Sequence, residues 1–199
     1  MKKTIIALFA LGSVAMAATT TEVFSLEDQS TVQLANQYDM GQDWTLSFEF
    51  TVSPANQSKN LTILSTDGLK MIASSSPLLP RLYAAGQEAF TNDTKWKNGG
   101  TFTCTMVYDS ARAVLKIDWG TKSKTFSNVD FGSNVISMFT TDLTNPSLGS
   151  GWGISGGTLT GEAIAPNPNA PAAPVVPEPA TATLSLLALA GLAARRRRK

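Results

Sequence analysis

The sequence predicts an all-β protein, an antiparallel two-sheet sandwich between an export signal and a single C-terminal apolar helix. Three observations carry that reading. Long stretches of the middle alternate apolar and polar residues with a period of two, turn-forming Gly and Asn pairs punctuate them, and no window there sustains a long helical period. About ten half-wet strands in roughly 145 residues need a second sheet or a closed barrel to cover their apolar faces, and a sandwich is the economical solution.

Taken in order, the chain opens with Lys2 and Lys3, an apolar run over 5–14 and Ala15-Met16-Ala17, the small-x-small pattern of a signal-peptidase site. Residues 1–17 are therefore predicted to be a removed signal peptide, with Ala15 and Ala17 the small residues of its cleavage site. The clearest strand is 44–52, with Trp44, Leu46, Phe48, Phe50 and Val52 on one face and Thr45, Ser47, Glu49 and Thr51 on the other. Residues 102–108 repeat the pattern, as do 113–119 across a short polar link, so the pair reads as a hairpin. Shorter strands are predicted at 31–34, 61–65, 69–73, 81–84, 87–90, 122–126, 135–139 and 157–162; the segment 133–140 is short enough to form a helical turn instead. A domain over 18–162 is followed by a linker, 163–176, in which Pro166, Pro168, Pro171 and Pro174 favour extended polyproline II.

The last segment, 177–199, begins Pro177-Glu178-Pro179. It continues through 15 uncharged residues at 180–194 and ends in Arg195, Arg196, Arg197, Arg198 and Lys199. A helix of that length is ~22 Å long, short of a hydrocarbon core of about 30 Å, and the terminal cations can snorkel to headgroups. Those four arginines act as a membrane stop and favour a cytoplasmic C-terminus. Pro177 and Pro179 fix φ and keep Glu178 extended, outside the helix that follows. This tail resembles the PEP-CTERM sorting signal. The resemblance implies recognition by an exosortase, cleavage near Pro177-Glu178-Pro179 and delivery to the outer surface or extracellular matrix, after transient anchoring in the inner membrane. A plain single-span anchor is the alternative.

Composition narrows the function. Residues 18–176 hold nine Lys/Arg against 14 Asp/Glu, a net charge of about −5, with no basic stripe interleaved with aromatics, which argues against a nucleic-acid partner. Histidine is absent, which removes the usual general base and zinc ligand, and the single cysteine, Cys104, cannot form an intramolecular disulfide. Cys104 shares a strand face with Phe102 and Met106 and reads as a small buried hydrophobe.

The middle is similar to the concanavalin A-like or laminin G-like jelly roll. The residues that carry this are 44–52 followed by 61–65, the Leu82-Tyr83-x-x-Gly86 turn, Trp96-x-x-Gly99 leading into 103–109, the strand ending Trp119-Gly120, and the glycine-rich 153–161. The resemblance is compatible with glycan or matrix binding or a structural role, and no catalysis is expected because the acidic motif of the fold's enzymes is missing. The alternative is a degenerate or unrecognised carbohydrate-active enzyme on the same fold. Glucanases of that fold carry Glu-x-Asp-x-x-Glu, which this chain lacks; its nearest acids are Glu49 and Asp118.

For ligand binding, Trp96 with Asp93 and Asn98 is the candidate set, since an indole can stack on a sugar while neighbouring amides and carboxylates bond its hydroxyls. The reading set against this, and preferred to it, is that Trp96 simply starts a strand and caps the core, as the equivalent tryptophan does in the family it resembles. No cofactor and no metal ligand set is predicted. Structural calcium, a habit of the family, would need the fold to gather Asp67, Asp93, Asp109, Asp118 and Asp142, which are scattered singly. Asn56-Gln57-Ser58, Asn60-Leu61-Thr62 and Asn92-Asp93-Thr94 match the glycosylation acceptor pattern.

Overall fold

The structure, a computed structural model, describes residues 18–54, 60–74 and 78–172. The signal peptide with Ala15 and Ala17, the motif Pro177-Glu178-Pro179, the apolar segment 180–194 and Arg195 to Arg198 lie outside the described residues. So does the acceptor triplet at Asn56. Among the described residues no helix is long and apolar enough to cross a membrane.

The described chain is almost entirely strand. In order, the strands are β1 (Ala18–Ser25), β2 (Thr31–Asp39), β3 (Trp44–Val52), β4 (Leu61–Thr66), β5 (Leu69–Ala73) and β6 (Pro80–Ala84). They continue with β7 (Gln87–Phe90), β8 (Gly100–Asp109), β9 (Val114–Asp118), β10 (Ser123–Ser127), β11 (Val135–Thr140) and β12 (Gly153–Pro166). One hydrogen-bonded path runs β10-β9-β8-β3-β12-β2-β11-β4-β5-β6-β7, with β1 also on β12. It folds into two layers, β10-β9-β8-β3-β12-β1 and β2-β11-β4-β5-β6-β7, which face each other as an antiparallel jelly-roll sandwich.

Alternation makes the layers. Along β3 every second side chain is buried, and its register with β8 pairs Trp44 with Tyr108, Phe48 with Cys104 and Phe50 with Phe102, so both strands face the same core. From the opposite layer come Leu34, Tyr38, Ile63, Met71, Leu82 and Phe139, each no more than 1% exposed. Each such side chain stabilises the fold by about 1.5–3 kcal/mol through burial. Phe24 of β1 meets Phe139 of β11 at 4.8 Å between ring centroids, a contact that ties the layers together.

β12 joins the layers. Its residues 156–160 lie between β1 on one edge and β3 on the other, and its last residues pair with β2 through Ala163↔Tyr38 and Pro166↔Asn36. Register shifts at Ala163/Ala165 and Ile154/Gly156 are bulges, which bend the strand enough to change sheets. The flanking strands come so close that a Cβ on Gly157 would stand 1.8 Å from the Ser47 carbonyl oxygen, so only glycine fits.

One boundary shifts, one strand is added, and the strand predicted at 135–139 is found. The linker was expected from 163, but β12 runs to Pro166 and Asn167 is 6% exposed. Asn167 Nδ2 faces the carbonyls of Leu34 at 2.7 Å and Ser137 at 3.0 Å. Alanines carry no strand signal of their own, and the open edge of β2 supplies the ladder; proline is tolerated at the strand's end because no partner needs its missing N–H. β1 was not predicted, since its Thr-rich sequence buries chiefly Phe24 and leaves Val23 78% exposed. Residues 135–140 are strand, with no helical turn.

Candidate functional site

The predicted binding set divides. Trp96 begins a one-turn 3-10 helix, Trp96–Asn98, which aims the indole inward, where it is fully buried. Its ring lies 5.3 Å from that of Phe50 and stacks on Phe102 at 5.6 Å. Asp93, 2% exposed, accepts hydrogen bonds from Trp119 Nε1 at 2.9 Å, the Lys95 N–H at 2.9 Å and Thr121 Oγ1. Burial pushes its carboxyl upward, but these hydrogen bonds, with the charge of Lys122, hold it below the usual carboxylate range. Asp93 thus pins the β9–β10 turn to the loop before β8. Only Asn98 of the three is exposed. Neither Trp96 nor Asp93 can meet a sugar, and the expectation that they do is corrected by their burial.

The acids considered for catalysis also stand apart. Glu49 on β3 and Asp118 on β9 share the outer face of the first layer, but β8 lies between them, with Thr103 opposite Glu49 and Thr105 opposite Asp118. Asp118 accepts from the Gly120 N–H at 2.8 Å, Asp142 from the Thr62 N–H at 2.7 Å, and Asp109 pairs with Arg112 at 3.4 Å. Among the described residues no three acids or cysteines gather into a metal-binding group. Cys104 is buried, and burial raises its thiol well above the ordinary range, so it is inert.

The exposed chemistry lies on the outer face of the second layer. The tight turn at Ala85 and Gly86, with φ of 46° and 78°, closes β6 on β7 as a two-residue hairpin whose twist matches the strands. Register then sets two rows of side chains across the sheet. One row runs Thr62, Ile72, Arg81, Phe90; the other runs Ser65, Lys70, Tyr83, Glu88. Inward-facing Met71, Ala73, Leu82 and Ala84 alternate with them and are fully buried.

Phe90 is 51% exposed, an unusual state for a large aromatic on a sheet face. The guanidinium of Arg81 lies 3.9 Å over its ring centroid, and Arg81 Nε reaches Glu88 Oε1 at 3.0 Å. Half-exposed, each contact contributes about 0.5–1 kcal/mol, enough to hold the arginine flat without hiding it. Beside this cluster, a depression of about 430 Å³ is lined by Ser65, Thr66, Leu69, Lys70, Ile72 and Tyr83. A second of about 350 Å³, between β4 and β11, shares Ser65 and Thr66 with it, so together they form a trough. Sequence reasoning missed this set, although the signal was present: in 81–84 the polar phase of the alternation carries Tyr83.

Among solved structures, the chain is similar to the binding domain of botulinum neurotoxin serotype D/C, at 16% identity over 73% of this chain and 40% of that one, with a TM-score of 0.47. It is also similar to basic winged bean lectin with Tn-antigen, at 9% identity over 75% and 88% of the two chains and a TM-score of 0.42. A third is CG-16, a homodimeric agglutinin from chicken liver, at 10% identity over 69% and 95%, TM-score 0.33. The chain spans less than half the length of the toxin domains it matches. Comparison with curated proteins finds no match. The family model that matches does so over residues 175–199, which hold the prolines, the apolar run and the arginines described above. The C-terminus of this exported protein is therefore a PEP-CTERM protein-sorting motif.

Proposed function

We propose that the protein is a non-enzymatic component of the cell surface or extracellular matrix whose sandwich binds glycan on the outer face of β5, β6 and β7. In this reading, signal peptidase removes residues 1–17, the C-terminal segment holds the chain in the inner membrane with its cations on the cytoplasmic side, and an exosortase cleaves near Pro177-Glu178-Pro179. Before that cut the proline-containing segment after Ala170 serves as the stalk, and the domain is then released outside.

The observation that carries the binding half is the pairing of Phe90, 51% exposed, with Arg81, Glu88 and Tyr83 on a trough-shaped sheet face. An open aromatic face offers stacking to the C–H side of a sugar ring, and the surrounding guanidinium, carboxylate, amine and hydroxyls bond its oxygens. The test is retention of the mature secreted protein on immobilised polysaccharides, for wild type and for a Tyr83→Ala, Phe90→Ala double variant. Loss of at least tenfold in retention, with no shortening of the bound polymer over prolonged incubation, is the expected result. Retention by the double variant equal to wild type overturns the site; soluble oligosaccharide products overturn the non-enzymatic reading. For the sorting half, a strain lacking exosortase should accumulate chain that still carries Arg195 to Lys199, and wild-type release in that strain would refute it.

A further inference from the structure

We infer that the glycan taken by this face is anionic, a polysaccharide bearing uronate-type carboxylates. The inference rests on the proposed glycan site and concerns which polymer fills it. The body of the chain is acidic, with nine cations against 14 acids over residues 18–176, whereas the depression beside Tyr83 is lined by Lys70 and no acid, Asp67 lying in the neighbouring depression. Across the two rows of this face stand Lys70 and Arg81 against the single carboxylate of Glu88.

Neither cation is used up. Arg81 commits only Nε to Glu88, and its guanidinium lies flat on Phe90, so the two terminal amino groups make no hydrogen bond among the described residues. Lys70, half-buried beside Tyr83 and Ser65, has no ion pair or hydrogen bond among them either. It lines the larger depression, whose other walls carry hydroxyls, aliphatic groups and the Tyr83 ring but no acid. An ammonium without a counter-charge inside a depression is free to make a charge-assisted hydrogen bond to a carboxylate that enters it.

Lys95, Lys97, Lys116 and Lys124 also stand without an ion pair among the described residues, but none of them lines the depressions described here. The depression on the first layer is lined by Asp43 and Asp109 beside Thr45, Val107 and Tyr108, so it repels the same polymer. Arg112 is paired with Asp109, and Lys122 donates to the Asn92 carbonyl. Tyr83 and Phe90, which are neutral, add a stacking surface that ion exchange alone does not use. A sugar ring on that surface would present its carboxylate to Lys70 on one side and to the free edge of Arg81 on the other, the fork of Arg81 suiting a planar carboxylate.

The test measures retention of the mature protein on three immobilised polymers: polygalacturonate, the same polymer with its carboxylates reduced to neutral alcohols, and polyglutamate. The protein should be retained on polygalacturonate, less so as sodium chloride rises from about 50 to 500 mM because salt screens exposed charges. The reduced polymer and polyglutamate should be retained at least about fivefold less. Lys70→Gln, which removes the charge without touching the Arg81–Phe90 stack, should lower retention on polygalacturonate by about five- to tenfold and leave thermal unfolding unchanged. Equal retention of the native and reduced polymers would overturn the charge inference while leaving the glycan site standing. Failure to retain either overturns both. Equal retention on polyglutamate, or an unaffected Lys70→Gln variant, would reduce the effect to unspecific ion exchange and overturn it.

Discussion

The two outer faces of the sandwich are built on the same pleat and by the same alternation, yet they solve their exposure in opposite ways. On the first layer the outward side chains are mostly hydroxyls that bond one another across strands: Thr21 with Thr160 at 2.9 Å, Ser47 with Thr105 at 3.3 Å, Thr51 with Thr101 at 2.9 Å. Such cross-strand pairs stabilise the sheet by a few tenths of a kcal/mol each and leave short side chains with little to offer a ligand. On β5 to β7 of the second layer the outward side chains are mostly long, aromatic or charged, and Lys70 has no ion pair or hydrogen bond among the described residues. One face is finished by its own contacts; the other is left open for something else. A face that satisfies itself is architecture, and one that does not is where binding should be sought.

That contrast can be broken in four ways. Trp96→Ala empties a fully buried indole from between Phe50 and Phe102 and should destabilise the fold by about 3–5 kcal/mol, read as a lowered unfolding midpoint. Polysaccharide retention per folded molecule should stay the same, and a selective loss of retention would return Trp96 to the binding site. Asp93→Asn disturbs the buried acceptor of Trp119, Thr121 and Lys95 and should cost about 1–3 kcal/mol at neutral pH.

Because the folded Asp93 carboxyl sits below the usual range, its contribution is present above the ordinary carboxylate pKa and is lost as the pH falls through the depressed folded value. The wild type should therefore lose stability on acidification through that window more steeply than the Asn variant, and parallel pH profiles would refute this role. Phe90→Ala should leave the unfolding midpoint almost unmoved but weaken retention about tenfold, roughly 1.4 kcal/mol. Smallest of all, the pair Thr51→Val with Thr101→Val should change stability by less than about 0.5 kcal/mol and binding not at all. A marked loss of retention there would show that the hydroxyl face takes part in binding and erase the distinction.

The same contrast explains how much the sequence could disclose. A strand whose two phases differ sharply, such as 44–52, is found at the predicted residues because one face is apolar and the other wet, and the period alone reveals that. β1 and the end of β12 were not legible. Their residues are weakly patterned, and their strand state comes from neighbours far along the chain: β1 from Gly156–Ala163, and Ala163–Pro166 from the edge of β2. The binding set failed for a related reason. Trp96 sits among polar loop residues, and nothing local says that a single 3-10 turn will rotate its ring into the core. Tyr83 and Phe90 belong to short strands, and their outward direction follows only once the pairing with β5 fixes which phase is inside. The C-terminal motif, by contrast, is local by nature: rigid prolines, a greasy run and a cationic end need no partner elsewhere to be read.

The position of β12 bears on the proposed stage before cleavage, when the tail still holds the domain at the membrane. Any drag on the domain, whether from flow or from a tethered polymer, enters the fold through Asn167 and runs along a strand gripped by β1, β2 and β3 together. Tension of that kind must slide many hydrogen bonds at once, where a peripheral strand would peel away one bond at a time. The leash is thus attached to a strand of the sandwich that is paired on both of its edges.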